Sequence, residues 1–389
     1  MLTIDLEDYF MVSAFEKVVK REEWERYDSR IERNTYRLLE ILDESGSAYR
    51  AKRLANELAP CASPHTPNRI KATFFCLAWV AERYPGLIKE IHREGHEIAS
   101  HGYNHRLVYE MAPYEFRLDV RKSKRILEDK IGEDVIGYRA PSYSITKKSL
   151  WALEILAEEG YHYDSSIFPI HHDRYGIPDA PRFPFLISMN GNSVIKFDDL
   201  NLNSEVSLHS AFRNPRCSTP SSGLPTLKYL LEFPLSTIRL GGMNIPISGG
   251  GYFRLFPYSS IKKRLTKINR MEGMPFIFYL HPWEIDPEQP RIDGISRKSR
   301  FRHYVNIGKT ENRFSRILSD FRLSSILDVL NSNTAPLRAA ALADNSTIEN
   351  EPCFKFRRFA QSKSAGGSQL KENEMSSGYR SQQSKGEEF

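Results

Sequence analysis

The chain has 389 residues, 40% of them hydrophobic, so it can bury a full-sized core as one large domain or two ordinary ones. Its 55 basic and 49 acidic residues leave a net charge of +6 that is spread along the chain, so nothing indicates a nucleic-acid partner. The four cysteines are widely separated and form no C-x-x-C pair, which argues against a disulfide framework and a thiolate zinc site.

The N-terminal sequence MLTIDLEDYF lacks the basic and apolar regions of an export signal. No stretch approaches the roughly 20 apolar residues of a membrane-spanning helix. Together with the isolated cysteines, these features predict a soluble protein without a transmembrane segment. We expect it in the cytoplasm, either free or peripheral to the inner membrane.

Strand and helix patterns alternate along the chain. LTIDL predicts a strand, SRIERNTYRLLEILDESG a helix closed by Gly46, KATFFCL a strand, PGLIKEIHREG a helix and HEIAS a strand. PYEFRLDVRKSKRILEDKIG then predicts a helix, VIGYRAP an extended segment, TKKSLWALEILAEEG a helix capped by Thr146, YHYDSSI an extended segment and MPFIFYLHPWE a last strand. Repeated strand–helix units predict a parallel sheet, and at this length a closed or nearly closed barrel.

Three stretches depart from this rhythm. Residues 47–69 and 188–227 are rich in proline and polar residues and predict inserted loops, the second with some irregular β-structure. Residues 332–389 are rich in serine, glutamine, glycine and charge, with few apolar residues. Such a composition predicts a disordered C-terminal tail.

Residues able to do chemistry follow the predicted strands. They are Asp5, Glu7 and Asp8 at the end of the first strand, His101 and His105 just after the third, and Arg139, Asp164 and His281 at later ones. Each motif alone has an ordinary structural explanation: two histidines four apart are more often turn residues than metal ligands. In a strand–helix barrel, however, the carboxyl ends of the strands share one face, so these groups are expected to converge.

The ordered motifs resemble those of a known family. TIDLEDYF, ATFFCLAWVAERYPGLIKEIHREGHEIASHGYNH, GYRAPSYSI, YDSSIFPI and FYLHPWEIDPEQPR are similar to the motifs of NodB-homology polysaccharide deacetylases, carbohydrate esterase family 4. More narrowly, they resemble a subgroup encoded with bacterial exosortase-linked exopolysaccharide systems, which carries an extra C-terminal segment. The resemblance implies a distorted α/β barrel with inserted loops, a catalytic domain over residues 1–331 with its extension from about residue 230, and the tail at 332–389.

The resemblance also implies one divalent metal ion. His101 and His105 match the family's histidine ligands, and the third ligand is an acid of the first motif. We favour Asp8 because a short carboxylate at a strand end has little side-chain freedom, with Glu7 as the alternative. Zinc is the default ion, and cobalt or another divalent ion is also compatible.

The remaining roles come from the same resemblance. Asp5 matches the general base and His281 the general acid, while Arg139 would pair with Asp5 and Asp164 with His281. The substrate-binding aromatic residues would be Tyr143 and Trp283.

The implied reaction is removal of N-acetyl groups from N-acetylhexosamine residues of a bacterial polysaccharide or its precursor, by attack of a metal-bound water. An N-acetylated polysaccharide or oligosaccharide would be the partner, and the exopolysaccharide assembly machinery a possible second one. Two alternatives stay open, since a fold does not fix a substrate. They are an amidohydrolase acting on a small cyclic amide and a non-catalytic carbohydrate-binding protein.

Overall fold

A computed structural model describes residues 1–56, 70–188, 196–199 and 229–331. The predicted tail and most of the second insertion lie outside the described residues, as does the first insertion beyond residue 56. The strands are β1 Leu2–Leu6, β2 Thr73–Cys76, β3 Glu97–Ser100, β4 Gly137–Tyr138, β5 Tyr163–Asp164, β6 Phe185–Ser188, β7 Lys196–Asp199, β8 Tyr229–Glu232, β9 Thr237–Leu240, β10 Met243–Pro246 and β11 Phe278–Leu280. The helices are α1 Ile31–Asn56, α2 Ala78–Arg83, α3 Pro85–Arg93, α4 Pro113–Ile131, α5 Trp151–Glu158, α6 Gly250–Leu255, α7 Tyr258–Met271, α8 Arg297–Tyr304, α9 Thr310–Asp320 and α10 Ile326–Asn331.

Nine strands form one sheet in the order β11-β1-β2-β3-β4-β5-β8-β6-β7, and β9 and β10 form a separate hairpin. Neighbours from β11 through β8 are parallel, whereas β6 is antiparallel to both β8 and β7. A single parallel bridge between Gly249 and Tyr279 adds a further contact to β11. The expected α/β class with a parallel sheet is confirmed, and the paired strands form an incomplete barrel.

The central strands are buried along their whole length. Every residue of β1, β2 and β3 is buried, as expected for parallel strands covered on both faces. Asp5 therefore lies inside the protein, opposite Phe75 in the register of β1 and β2. Burial of such a charge requires partners, and the carboxyl ends of these strands supply them.

The boundaries of two helices differ from the sequence prediction, and one short helix was not predicted. α1 continues through Gly46 to Asn56, so part of the expected first insertion is helical; one glycine costs a helix only about 1 kcal/mol. α5 begins at Trp151, because the backbone N–H of Thr146 is bonded to the Ser149 hydroxyl in a turn before it. α2 was missed because it is only six residues long.

The C-terminal extension is part of the same sheet. β8 lies between β5 and β6, and β11 lies beside β1. The backbone N–H of Leu2 donates to the carbonyl of Ser324 at 2.9 Å, and that of Ile326 donates to the Thr73 hydroxyl at 2.8 Å. The extension thus completes the sheet that carries the candidate site. Within the described residues, no helix combines the length and apolar character needed to cross a membrane.

Candidate active site

The acidic turn after β1 sends its two candidate ligands to different places. Glu7 Oε2 lies 2.8 Å from Nε2 of His105. Asp8 Oδ2 instead accepts hydrogen bonds from the Ser29 hydroxyl and the Arg30 backbone N–H, both at 2.8 Å. The geometry contradicts the expectation that Asp8 joins the histidines, because its carboxylate caps the chain as it enters α1. Glu7, the alternative, occupies that place.

The two histidines leave the loop after β3 and approach each other, with ring centres 5.6 Å apart. His101 Nδ1 lies 2.8 Å from the carbonyl oxygen of Arg139. Since a carbonyl only accepts, Nδ1 must carry the proton and Nε2 keeps a free lone pair. Burial lowers the pKa of His101 to about 4 against the opposing charge of Asp5, so its imidazole is neutral. A neutral ring with a free Nε2 is the form that binds metals.

This loop has an unusual backbone. Gly102 has φ of 75° and His105 has φ of 60°, a left-handed conformation that costs energy for a residue with a side chain. Arg21 stabilises the turn by donating to the carbonyls of Asn104 and His105, at 3.0 and 3.2 Å. The hydrogen bonds from Arg21 and the strained φ of His105 both lie in the turn that orients the two imidazoles.

Glu7, His101 and His105 fit a metal ion. One candidate ligand atom from each lies within 4.8 Å of the other two, and all three side chains are buried. Glu7 Oε2 has no well-aligned hydrogen-bond donor, although it lies 2.8 Å from His105 Nε2. Because two lone pairs repel at this distance, a proton or a cation must lie between the two atoms. One carboxylate oxygen and two imidazole nitrogens are a donor set that zinc accepts.

Asp5 is held by a fully buried arginine. Arg139 Nη1 lies 2.6 Å from Asp5 Oδ1 and 2.8 Å from the Thr3 hydroxyl. The other side of the guanidinium donates to the carbonyl and hydroxyl of Ser165, at 3.0 and 2.8 Å. The structure therefore brings Asp5 and Arg139 together as the sequence predicts, and Asp5 Oδ2 is turned toward the site.

His281 lies on the other side of Asp5 and Glu7. Its Nε2 is 3.2 Å from Glu7 Oε1 and 3.8 Å from Asp5 Oδ2, and its Nδ1 is 2.7 Å from Glu284 Oε1. Burial alone would lower the pKa of His281, but the hydrogen bond that it donates to Glu284 and the charges of Glu7, Glu284 and Asp5 raise it to about 9. The imidazolium is thus the stable form near neutral pH.

Glu284 occupies the role that the sequence assigned to Asp164. The Asp164 carboxyl accepts from the Ser166 hydroxyl at 2.5 Å and lies opposite Glu232 in the register of β5 and β8. Glu284 also accepts from the backbone N–H of His281 at 3.1 Å. The sequence contains a signal for this, because an acid three residues after a helical N-cap is the spacing of a capping box.

The two predicted substrate-binding aromatics are buried in the wall of the site. Tyr143 donates to Asp5 Oδ2 at 3.4 Å and is only 8% exposed. The Trp283 ring stacks with those of His281 and His303, with ring centres 5.2 and 4.1 Å away, and is 4% exposed. Trp283 offers no open ring face to a sugar in this structure, whereas a substrate role for Tyr143 stays a prediction.

Comparison with known families agrees with this geometry. The polysaccharide deacetylase family matches residues 66–163, which include both histidines and Arg139. The chain contains a polysaccharide deacetylase domain. A second match, to a domain of unknown function (DUF3473), covers residues 209–331 and hence the extra segment after the deacetylase match.

The deacetylase domain also has curated relatives. A peptidoglycan-N-acetylglucosamine deacetylase of Bacillus cereus is 35% identical over 88 residues, which are 22% of this chain and 32% of the relative. A second protein of that name and organism is 30% identical over 73 residues, 19% of this chain and 34% of the relative. The chain thus spans about a third of the length of each relative.

Solved structures resemble the chain more weakly. The crystal structure of a protein from Mycobacterium smegmatis, described as a polysaccharide deacetylase, has a TM-score of 0.44 and 16% identity to this chain. The match covers 91% of this chain and 94% of that protein. A CE4 family pseudoenzyme from Bacillus anthracis has a TM-score of 0.34 and 12% identity to this chain. The match covers 85% of this chain and 64% of that protein. Likeness at this level says nothing about activity.

Proposed function

We propose that this protein is a metal-dependent hydrolase that removes N-acetyl groups from N-acetylhexosamine residues of a bacterial polysaccharide or its precursor. One observation carries the proposal. A carboxylate held by a buried arginine and a histidine held by a buried carboxylate flank the same Glu7, His101 and His105 cluster. A base, an acid and a metal-ligand set together are what amide hydrolysis requires.

Glu7, His101 and His105 would hold the ion, which we assign as zinc with cobalt as an alternative. When bound, such an ion polarises a carbonyl and acidifies water. The chain prepares its ligands in two ways. The Arg139 carbonyl fixes the His101 tautomer. Burial would raise the pKa of Glu7, but the neighbouring histidines, His105 foremost, lower it to about 2, so this carboxylate is ionised.

Asp5 would act as the general base. Arg139 occupies Oδ1, so Oδ2 is the oxygen free to take a proton from water, and Tyr143 and His281 mark the space that it faces. Because Arg139 is anchored to Ser165 as well, the carboxylate keeps its orientation while it gains and loses a proton.

His281 would act as the general acid. Glu284 accepts from Nδ1, which leaves the proton on Nε2 directed toward Glu7 and Asp5. As the carbon–nitrogen bond of the acetamide breaks and a carbon–oxygen bond to water forms, Nε2 gives its proton to the departing nitrogen. The products are acetate and a free amino sugar. Asp5 then loses its proton to solvent and His281 regains one from solvent, which restores both groups.

The substrate class rests on the family match and on the motif resemblance. Both curated relatives carry the name peptidoglycan-N-acetylglucosamine deacetylase, which supports an N-acetylhexosamine substrate. The resemblance to the exosortase-linked subgroup supports an exopolysaccharide or its precursor, and an association with its assembly machinery. The cytoplasmic location expected from the N-terminal sequence stays a prediction.

Acetate release from defined N-acetylglucosamine oligomers tests this proposal. The parent protein loaded with zinc should release acetate, whereas Asp5→Asn and His281→Ala should lose roughly 10²- to 10⁴-fold in kcat. Both variants should keep their zinc, because neither residue is among the proposed ligands.

The comparison substrate is a small cyclic ureide such as allantoin. Turnover of allantoin without acetate release would favour the small-molecule amidohydrolase. Near-parental acetate release by either zinc-loaded variant would remove that residue from the mechanism. Binding of the oligomer with no release by any form would favour a carbohydrate-binding protein.

A further inference from the structure

Arg254 is a buried arginine in α6, within the segment that matches the domain of unknown function. Its side chain is 3% exposed, and its Nε lies 2.8 Å from Oε2 of Glu284, whose side chain is fully buried. The contact is an ion pair without the alignment of a hydrogen bond. Burial would raise the pKa of Glu284, but the charge of Arg254 and the hydrogen bond from His281 lower it. Arg254 therefore keeps this carboxylate charged.

The guanidinium of Arg254 is fixed from its other side. Nη1 donates to the backbone carbonyl of His303, and Nη2 donates to that of Arg302 at 3.1 Å. Both carbonyls belong to the last turn of α8, where a cation also complements the helix dipole. Three contacts thus set the position of the group that faces Glu284.

Ring stacking connects Arg254 with His281 through Trp283. The Trp283 ring stacks on those of His281 and His303, with the Arg254 guanidinium 5.1 Å from its centre. Gln289 Oε1 accepts from Nε2 of His303 at 2.7 Å, and the Gln289 amide nitrogen donates to the Trp283 carbonyl at 2.8 Å. A shift of Arg254 would therefore move both Glu284 and Trp283, which contact the His281 ring.

We propose that Arg254 is a positioning residue for deacetylation: it orients Glu284, and through Glu284 it orients the His281 imidazole. The segment of unknown function then supplies part of the active site. This inference rests on the proposed function, because it assigns His281 the role of proton donor.

An arginine suits this place better than another residue. Its planar fork contacts one carboxylate and two carbonyls at once, and it stays charged when buried. Removing it leaves Glu284 as a buried charge with only His281 as a partner, which is costly. Lysine would keep the charge but lose the fork.

The test compares Arg254→Gln with Arg313→Gln. Arg313 provides a matched control, because it also ties backbone carbonyls of this segment, those of Phe253, Arg254 and Phe256, at 2.8 to 3.3 Å. We expect Arg254→Gln to lower kcat for acetate release roughly 10- to 100-fold with KM and zinc content little changed. Arg313→Gln should keep a near-parental kcat.

A second readout does not depend on activity. The Nδ1 proton of His281, bonded to a buried carboxylate, should give a far-downfield proton NMR signal, assigned by its loss in His281→Ala. Arg254→Gln should shift or remove that signal and Arg313→Gln should retain it. If the parent releases no acetate, the proposed function fails, and the signal still decides the role of Arg254.

Two further variants guard against a folding defect. Arg254→Lys keeps the charge and should lie between the parent and Arg254→Gln in kcat and in the NMR signal. In a Glu284→Gln background, Arg254→Gln should cost little more, because both act through one hydrogen bond. An unchanged signal and kcat in Arg254→Gln, equal losses in Arg313→Gln, or additive losses in the double variant would each overturn the inference.

Discussion

At the residue scale, the choice between Glu7 and Asp8 gives a direct prediction about metal binding. Purified parent protein should contain roughly one equivalent of divalent metal. Glu7→Gln should lose most of it, because Glu7 is the acid beside His105. Asp8→Asn is the control: it should keep the metal but lower the thermal midpoint, since Asp8 accepts from Ser29 and Arg30. Elemental analysis decides, and metal loss only in Asp8→Asn would return the ligand to Asp8.

A second residue-scale prediction concerns pH. Asp164 and Glu232 lie opposite each other in β5 and β8 and are both fully buried, so we expect the pair to hold a proton rather than carry two charges. Burial raises the pKa of both groups, and the Asp164 charge raises that of Glu232 further. The folded state therefore binds protons more tightly than the unfolded state, so the pair's contribution is fully present below pH about 4 and is lost as pH rises.

Urea unfolding measures that loss. Between pH about 5 and about 8, the free energy of unfolding should fall less in Glu232→Gln than in the parent, because glutamine donates a hydrogen without ionising. Asp293→Asn, at an acid whose side chain is 94% exposed, serves as the control and should follow the parent slope. Equal slopes in Glu232→Gln and the parent would mean that the pair does not share a proton.

The sequence predicted part of the site for a clear physical reason. Asp5, Arg139 and the two histidines meet because each lies at or just after the carboxyl end of a strand of one parallel sheet, and sequence order is enough to place them there. The distinction between Glu7 and Asp8 depends on how the chain turns after Leu6, which strand periodicity does not determine. Arg254 was missed because its pairing with Glu284 is a tertiary contact with no local signal.

At the element scale, the loop after β3 holds both histidines through a left-handed backbone. A Cβ added at Gly102, where φ is 75°, would lie 3.1 Å from Asp119 Oδ1 and 3.8 Å from Pro141. Gly102→Ala should therefore lower both the thermal midpoint and the affinity for zinc, the latter roughly 10-fold or more. Isothermal titration calorimetry with zinc measures the affinity.

Gly132→Ala is the matched control. Gly132 ends α4 with φ of 73° and has open space around its Cβ position, away from the histidines. It should lose stability of the same order, about 1 kcal/mol, with zinc affinity unchanged. Equal zinc affinity in both variants would mean that the loop backbone does not set the ligand geometry.

Element boundaries were predicted less well than element order. The alternation of strands and helices through β3 and α4 follows from apolar periodicity, and the structure confirms it. The extension of α1 past Gly46 shows tertiary packing outweighing a local helix breaker. The strands β6 to β10 carry no equally clear pattern, because they are short and lie at or beyond the antiparallel edge of the sheet.

At the scale of the whole molecule, we expect the last described helix, α10, to be required for the stability of the fold. The backbone N–H of Leu327 donates to buried Glu97 at 2.9 Å, and Ile326 donates to Thr73 and is fully buried. Truncation after residue 324 removes these contacts and leaves Glu97 short of a donor, so the thermal midpoint should fall by roughly 5 °C or more.

Truncation after residue 331 removes only the polar sequence predicted to be disordered, and should leave the midpoint and acetate release nearly unchanged. Differential scanning calorimetry of the two truncated chains beside the parent measures both effects. Equal midpoints in all three would show that α10 contributes nothing to the fold, whereas a large drop already at residue 331 would show that the polar sequence packs on the domain.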